Sequence, residues 1–247
     1  MLLNIGGIIE TKSWQDMADA ILLIWQPGQE GGNAVKDIIS GAVNPSGKLA
    51  TTFPVDYSDA ASSKGFPGTP AEMPTTVKYT EGIYVGYRFF EKNKVPVVYP
   101  FGYGLSYTDF AYSNLKISSD VFTNELTVTA DITNTGKTAG KEVVEMYLSA
   151  PVDKLDKPVK ELKGFAKTDL LQPGKKQTVT ITITKRDLAS FDEQESAWIA
   201  DKGLYKIHIG TSSANIKLNA SFTSNNRLTV QKVNNVLAPE QTITELH

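Results

Sequence analysis

The stretch LTVTADI, residues 126–132, alternates apolar and polar residues, so that Leu126, Val128, Ala130 and Ile132 share one face. Successive side chains of a β-strand point to opposite faces, and the pattern therefore predicts a strand with one buried face. Four further runs alternate in the same way: VVEMYLS (143–149), TVTITIT (178–184), LYKIHIG (204–210) and IKLNASF (216–222). Several such strands without an intervening helix predict a β-sandwich of immunoglobulin or fibronectin III type over residues 111–225.

A different pattern fills residues 1–57. LLNIGG and AILLIW (20–25) are short apolar runs, and breakers flank the second, as is typical of a strand covered on both faces in a parallel sheet. After the turn PGQEGG, the run NAVKDIISG has one apolar stripe, with Asn33 expected to cap a helix and Gly41 to end it. Two strands cannot form an open α/β sheet alone, so this segment is expected to be the end of a larger domain whose earlier strands are missing.

The remaining stretches are predicted to connect and extend these two parts. Residues 58–110 begin as a loop rich in Ser, Ala, Gly and Pro and continue as aromatic- and glycine-rich runs, which are expected to pack at a junction. Residues 226–247 are predicted to form a polar C-terminal tail, with a short apolar stretch able to dock on the body.

Composition excludes several classes of function. A net charge of -2 and a pI near 5.8 offer no attraction to phosphate backbones, so nucleic acid is not an expected partner. The absence of cysteine excludes disulfides, thiolate metal sites and a cysteine nucleophile. The longest apolar run is far shorter than the roughly 18 residues that span a bilayer, and the start lacks the basic leader of a signal peptide, so neither a membrane partner nor a leader is expected.

Few residues suggest a metal, cofactor or nucleotide site. His208 lies inside an alternating run and is interpreted as a strand histidine with satisfied hydrogen bonds. No HExxH or similar spacing occurs, so neither a metal nor a cofactor is expected. GAVNPSGKL (41–49) has glycine spacing one residue too long for a phosphate-binding loop, and Leu49 replaces the metal-binding Ser or Thr.

Glu30 is a candidate site residue because it lies in a glycine-rich turn at the end of an apolar strand. A general acid or a ligand of sugar hydroxyls is one interpretation, since ligands gather at the carboxyl ends of strands in open α/β sheets. The favoured interpretation is structural: Glu30 accepts backbone N–H bonds and complements the dipole of the following helix. Glycoside hydrolysis normally needs two carboxylates, and no second one stands in a comparable setting.

Glu81 and Arg88, in YTEGIYVGYRF, are the other two candidates. The favoured interpretation is an ion pair at a domain junction, and contact with substrate is the alternative. Four tyrosines could stack on a sugar face, but aromatic residues this dense are expected to pack at an interface: Tyr84, Tyr87, Tyr99 and Tyr103.

Longer motifs give the chain a resemblance to a known family. They are WQPGQEGGNA (25–34), GAVNPSGKLATTFP (41–54), YTEGIYVGYRFF (79–90), YPFGYGLSYT (99–108), TNTGKTAGKEVV (133–144), LDKPVKELKGF (155–165) and LQPG (171–174). In this order they resemble glycoside hydrolase family 3, the β-glucosidase and β-xylosidase family. The resemblance covers nearly the whole chain.

Members of that family combine a (β/α)8 barrel, an αβα sandwich and a fibronectin III-like domain. The resemblance therefore implies the end of the sandwich over residues 1–57 and the last domain over residues 111–225. The family's nucleophile is an aspartate of an S-D-W-like barrel motif, whereas Ser58 and Asp59 are followed here by Ala60 in a loop. The usual acid/base glutamate falls before Met1, so no catalytic residue is expected in this chain.

The function expected from the resemblance is that of the C-terminal part of a retaining β-glucosidase-like hydrolase, inactive alone. The implied partners are the barrel domain or a chain carrying it, a possible second copy, and β-glucosides or oligosaccharides reached only through the intact enzyme. Such enzymes are often periplasmic or secreted. The alternative is a carbohydrate-binding or domain-assembly module without hydrolase activity.

Overall fold

The computed structural model describes residues 1–234, 236 and 243–245. Its strands and helices, in chain order, are β1 (Leu2–Leu3), β2 (Leu22–Leu23), α1 (Gly31–Ile39), β3 (Phe53–Pro54), α2 (Tyr87–Lys92), β4 (Val97–Tyr99), β5 (Phe110–Ile117), β6 (Val121–Phe122), β7 (Glu125–Asn134), β8 (Val143–Ser149), β9 (Glu161–Lys167), β10 (Lys176–Thr184), α3 (Lys185–Leu188), β11 (Ser190–Asp192), β12 (Ala197–Ala200), β13 (Gly203–Ser212), β14 (Asn215–Ser224) and β15 (Leu228–Lys232). Short 3-10 turns occur at Gln15–Met17, Tyr57–Asp59 and Ala61–Lys64.

The second half of the chain is a β-sandwich. One sheet has the strand order β10-β7-β5, and the facing sheet has the order β6-β14-β13-β8-β9. A third, three-stranded sheet of order β11-β12-β15 lies beside them. All pairings in these sheets are antiparallel except that of β6 with β14.

The core of the sandwich is made by the alternating residues that the sequence indicates. Apolar side chains from the two main sheets form one buried cluster, and its members include Leu126, Val128, Ile132, Val144, Met146, Ile183, Ile207 and Phe222. Tyr205 and Phe222 stack with ring centroids 5.3 Å apart inside it. The predicted sandwich is therefore confirmed.

The α/β part is confirmed in its elements but is much less buried. β1 and β2 pair in parallel, with Leu2 opposite Leu22 and Leu3 opposite Leu23. α1 contains no buried residue, and Ile39 in its apolar stripe is 67% exposed. The apolar stripe of α1 thus lacks the cover that a complete α/β sheet provides, whereas in the strand pair Leu3 is buried and Leu22 and Leu23 are half-buried.

The start of α1 differs from the expectation. The helix begins at Gly31 with Glu30 as its N-cap residue, so Asn33 lies inside the first turn and is not the cap. The Asn33 side chain instead donates a hydrogen bond to the Glu30 carboxylate. Two glycines at the first helical positions allow the chain to enter the helix earlier than the apolar pattern indicates.

The stretch predicted to be a tail begins with a strand. β15 pairs antiparallel with β12, and Leu228 and Val230 pack against the core cluster, because this short run alternates like the other strands. Residues 235, 237–242 and 246–247 of that stretch lie outside the described residues. In the described part of the chain, no helix has the length and apolar character needed to cross a membrane.

Candidate functional site

The carboxyl edge of the β1–β2 pair holds the first candidate region. Trp25 follows β2 with φ +53°, a left-handed conformation that non-glycine residues adopt rarely. The side chain of Gln26 packs against Gly6, where an added Cβ would lie 2.9 Å from Nε2 of Gln26. Backbone held in sparsely populated conformations clusters at functional sites, so this edge is a candidate binding surface.

Glu30 lies at the same edge, after the turn that leaves β2. Its carboxylate accepts a hydrogen bond from Nδ2 of Asn33. The side chain makes no capping hydrogen bond to the backbone of α1, so the expectation that Glu30 accepts backbone N–H bonds is wrong. Its side chain is exposed to solvent, and it remains a single carboxylate beside a neutral amide.

Arg88 and Glu81 do not form the expected ion pair. Nη1 of Arg88, in α2, lies 3.4 Å from Oε1 of Glu161 in β9 and 3.4 Å from the carbonyl oxygen of Ile83. The backbone carbonyl of Glu81 accepts a hydrogen bond from the N–H of Tyr84. The turn through Gly82 explains the difference, because φ there is +54° and the chain reverses before α2 begins. The prediction that Arg88 pairs with Glu81 is therefore wrong, because the acidic partner of Arg88 comes from the sandwich.

Two further ion pairs hold α2 against the sandwich. Lys92 contacts Asp156 at 2.8 Å and also donates to the hydroxyl of Tyr84 at 3.0 Å. Glu91 contacts Lys160 at 2.7 Å. Burial raises the pKa of Glu91, and Lys160 partly offsets this. The helix is therefore positioned by charges on both of its exposed sides.

The dense aromatic residues pack between the two parts of the chain, as the sequence indicates. The ring of Tyr87 contacts Phe101 and Tyr147 at centroid distances of 5.0 and 5.8 Å, and its hydroxyl accepts the N–H of Leu162. Tyr99 and Tyr103 pack together at 5.1 Å. Tyr87 therefore packs at the junction, as expected, and Tyr99 and Tyr103 pack against each other.

A buried acidic cluster at this junction was not evident from the sequence. Glu145 is 5% exposed and accepts a hydrogen bond of 2.6 Å from the hydroxyl of Tyr147. Burial raises the pKa of Glu145 to about 7, although Tyr147 and Lys48 oppose the rise. Lys48 pairs with Glu142 at 3.0 Å, and the Glu145 carboxylate lies against the backbone of Gly102. The sequence signal that could have revealed this cluster is the acidic residue Glu145 inside the otherwise apolar run VVEMYLS.

His208 also forms an organised group. Its Nε2 lies 2.9 Å from Oγ of Ser149, and its Nδ1 lies 2.6 Å from Oδ1 of Asn219. Burial lowers the pKa of His208 below its usual value. The interpretation as a hydrogen-bonded strand histidine is confirmed, and the three side chains lie on the outer face of the five-stranded sheet.

Comparison with known proteins fits both halves of this architecture. Residues 1–107 match the Glycosyl hydrolase family 3 C-terminal domain, and residues 142–213 match the Fibronectin type III-like domain. The chain corresponds to the C-terminal portion of glycoside hydrolase family 3.

Relatives of this family 3 portion are β-glucosidases. Beta-glucosidase A of Butyrivibrio fibrisolvens is 41% identical, and the match covers 97% of this chain and 31% of the relative. Thermostable beta-glucosidase B of Acetivibrio thermocellus is 40% identical over 94% of this chain and 30% of the relative.

Solved family 3 structures have the same fold in the matched region. Beta-glucosidase 3B from Thermotoga neapolitana, in complex with alpha-D-glucose, superposes with a TM-score of 0.87 at 50% identity, covering 92% of this chain and 32% of that one. The chain thus spans about a third of the length of the family 3 relatives that it matches.

Proposed function

We propose that this chain acts as the C-terminal portion of a retaining β-glucosidase-type hydrolase, and that it has no hydrolase activity alone. In this role residues 1–57 complete an αβα sandwich, and the fibronectin III-like domain supports it. The nucleophilic aspartate and the acid/base glutamate belong to a barrel-bearing portion, in the same protein or in a partner chain.

The open apolar face of the α/β part is the observation that carries this proposal. α1 presents Val35, Ile38 and Ile39 as one stripe without a buried member, beside a parallel pair of only two strands. An apolar helix face and an uncovered sheet edge are stable when another element packs on them. Because the relatives, at about 40% identity, are β-glucosidases, the element that packs here is inferred to carry the hydrolytic residues.

Each candidate residue has a place in this proposal. Glu30 and the turn after Trp25 border the active site that the barrel-bearing portion completes. Arg88 holds α2 against Glu161, and Glu81 lies in the turn before α2. Arg88 and Glu81 contribute by positioning the loops against the sandwich, and the exposed carboxylate of Glu30 is available to a sugar hydroxyl.

Hydrolysis of p-nitrophenyl β-D-glucoside tests the claim that the chain has no hydrolase activity alone. The purified chain is expected to release no p-nitrophenol above the blank, because retaining hydrolysis needs two carboxylates about 5 Å apart. Release that Glu30→Gln abolishes would overturn the proposal.

Assembly with a barrel-bearing portion tests the claim that the chain is the C-terminal portion of a larger hydrolase. The chain is mixed with the part of the Thermotoga neapolitana relative that precedes the matched region. The two are expected to co-elute in gel filtration and to regain hydrolysis, whereas Ile39→Asp reduces both effects and the neighbouring exposed substitution Ser40→Asp does not. Separate elution contradicts the proposal. Retardation of the chain alone in a gel containing β-glucan would favour the carbohydrate-binding module instead.

A further inference from the structure

An open cleft lies on the outer face of the five-stranded sheet, beside the part of that face covered by α2. Its volume is about 530 Å3. Lys160, Lys206, His208 and Ser149 supply its polar groups, and Val159 and Leu204 are among its apolar walls. The described residues that line it include two ammonium groups and an imidazole but no carboxylate. The cleft is therefore suited in charge to an anion.

Hydrogen bonds around His208 require more protons than a neutral ring supplies. Oγ of Ser149 lies 2.9 Å from Nε2 of His208 and donates to the carbonyl oxygen of Val159 at 2.7 Å. Nδ1 lies 2.6 Å from the amide oxygen of Asn219. Ser149 has one proton, so when it donates that proton to Val159 the other two contacts are completed by a ring with a proton on both nitrogens.

The imidazolium form satisfies all three contacts at once. Nε2–H donates to Ser149, the Ser149 hydroxyl donates to Val159, and Nδ1–H donates to Asn219. A neutral ring fits the same distances in two ways: the amide of Asn219 is turned over so that its NH2 group faces Nδ1, or the Ser149 hydroxyl donates to Nε2 and leaves the Val159 carbonyl without that proton.

The surroundings of His208 oppose this charge. Burial is the largest effect that lowers its pKa, and the ammonium groups of Lys160 and Lys206 lower it further. Tyr147 lies opposite His208 on β8, and the acidic group of Glu91 is paired with Lys160. Lys206 has no ion-pair partner in the described part of the chain. The hydrogen-bond geometry therefore favours a cation that lacks a counter-charge.

We propose that this cleft binds a small anionic molecule, whose carboxylate or phosphate accepts hydrogen bonds from Lys206 beside the positive charge of the His208 imidazolium and whose neutral body packs against Val159 and Leu204. The anion supplies the missing counter-charge and so stabilises the imidazolium, which takes its second proton from solvent and donates to Asn219 and Ser149. The volume exceeds that of a bare ion, since one water takes about 30 Å3, and it accommodates a ligand with a body attached to its charged group. The site goes beyond the proposed hydrolase function and needs no residue of a barrel.

The titration of His208 followed by proton NMR tests this site directly. The chain has two histidines, so a His247→Asn variant leaves one imidazole to follow. D-glucuronate and inorganic phosphate are the anionic probes, and D-glucose is the neutral match to glucuronate. A saturable rise in the pKa of His208 by about one unit is expected, which corresponds to roughly tenfold tighter binding to the imidazolium. D-glucose is expected to leave the pKa unchanged.

Matched lysine variants distinguish the cleft from general screening by salt. Lys206→Met is expected to remove most of the rise, whereas Lys202→Met, an exposed lysine outside the cleft lining, keeps it. A rise with phosphate but not with glucuronate supports the site and assigns it to phosphate-bearing ligands. An unchanged pKa with both anions, an equal rise with glucose, or an equal rise in Lys206→Met overturns the proposal and favours the turned Asn219 amide with a neutral ring.

Discussion

The hydroxyl of Tyr147 donates a 2.6 Å hydrogen bond to Oε2 of Glu145, and the pair is sealed between β8 and the turn that contains Gly102. Burial raises the pKa of Glu145 to about 7, despite the hydrogen bond and the charge of Lys48. A carboxyl with this pKa is protonated in the folded protein under mildly acidic conditions. The contact between the two parts of the chain therefore includes a group that titrates near neutrality.

Stability is expected to fall as the pH rises through the titration of Glu145. Below pH 4.5 the carboxyl is protonated in both states and contributes no pH dependence, whereas between pH 4.5 and 7 the unfolded chain loses the proton first. The difference of 2.5 pKa units between the two states, from 4.5 to about 7, corresponds to about 3 kcal/mol of folding stability. This stability is fully lost above pH 7. In urea unfolding, the free energy of unfolding of Glu145→Gln should not fall with pH in this way, and the variant should be more stable than the parent at pH 8. Glu125→Gln, at an exposed strand end, is the control; an equal slope in parent and Glu145→Gln would contradict the assignment.

Gly102→Ala is expected to disturb the same contact. An added Cβ would lie 2.7 Å from Oε1 of Glu145 and 2.7 Å from Cα of Ser212, in a residue with φ +84°. Both the left-handed backbone and the crowding oppose a side chain, at a cost of about 2 to 4 kcal/mol. Gly174→Ala separates the two effects, because Gly174 has φ +74° with no atom within 4 Å of the added Cβ. Thermal unfolding should rank Gly102→Ala below Gly174→Ala; equal losses would mean that backbone strain alone matters.

The sandwich was predictable because alternation is a local property of each strand. Leu126, Val128 and Ile132 face the core wherever the partner strands lie, so the pattern alone identifies the buried face. The parallel pair at the start of the chain was predictable for another reason, because a short continuous apolar run bounded by breakers is typical of a parallel strand.

Partners across the junction were not predictable, since they depend on how two separately patterned segments meet. The sequence pairs Arg88 with the nearby Glu81, but the turn at Gly82 brings Glu161 from 73 positions further along. Glu145 similarly sits among apolar neighbours in its strand, and only packing against Gly102 reveals why an acid is buried there. The prediction that Asn33 caps the helix was wrong for a local reason, because its side chain donates a hydrogen bond to Glu30 and accepts none from the backbone of the first turn.

Two buried threonines are expected to respond in opposite ways to replacement by valine. Oγ1 of Thr52 is buried without a hydrogen-bond partner in the described structure, so Thr52→Val removes an unsatisfied hydroxyl at nearly constant volume. The substitution should leave the free energy of unfolding unchanged or raise it by about 1 kcal/mol.

Thr108 is also buried, but its hydroxyl donates to Oδ1 of Asn134 at 2.7 Å. Thr108→Val should therefore cost about 1 kcal/mol, because it removes one of the two donors to Oδ1 of Asn134, the other being the N–H of Gly136. Urea unfolding of both variants at one pH provides the measurement, and a loss in Thr52→Val as large as that in Thr108→Val would show that the Thr52 hydroxyl has a partner.

A double-mutant cycle can establish which acid Arg88 uses. Arg88 and Glu161 are 3.4 Å apart with side chains 33% and 24% exposed, so solvent screens the pair only in part. Arg88→Met and Glu161→Gln are expected to couple by about 0.5 to 1 kcal/mol in the free energy of unfolding, as partly exposed pairs do. The parallel cycle of Arg88→Met with Glu81→Gln should give a coupling near zero, because these two side chains form no ion pair in the described structure. Raising the salt concentration should weaken the first coupling, since the charges are accessible to ions. Coupling that appears with Glu81 and not with Glu161 would return the junction pair to the one that the sequence alone suggests, and α2 would then need another anchor on β9.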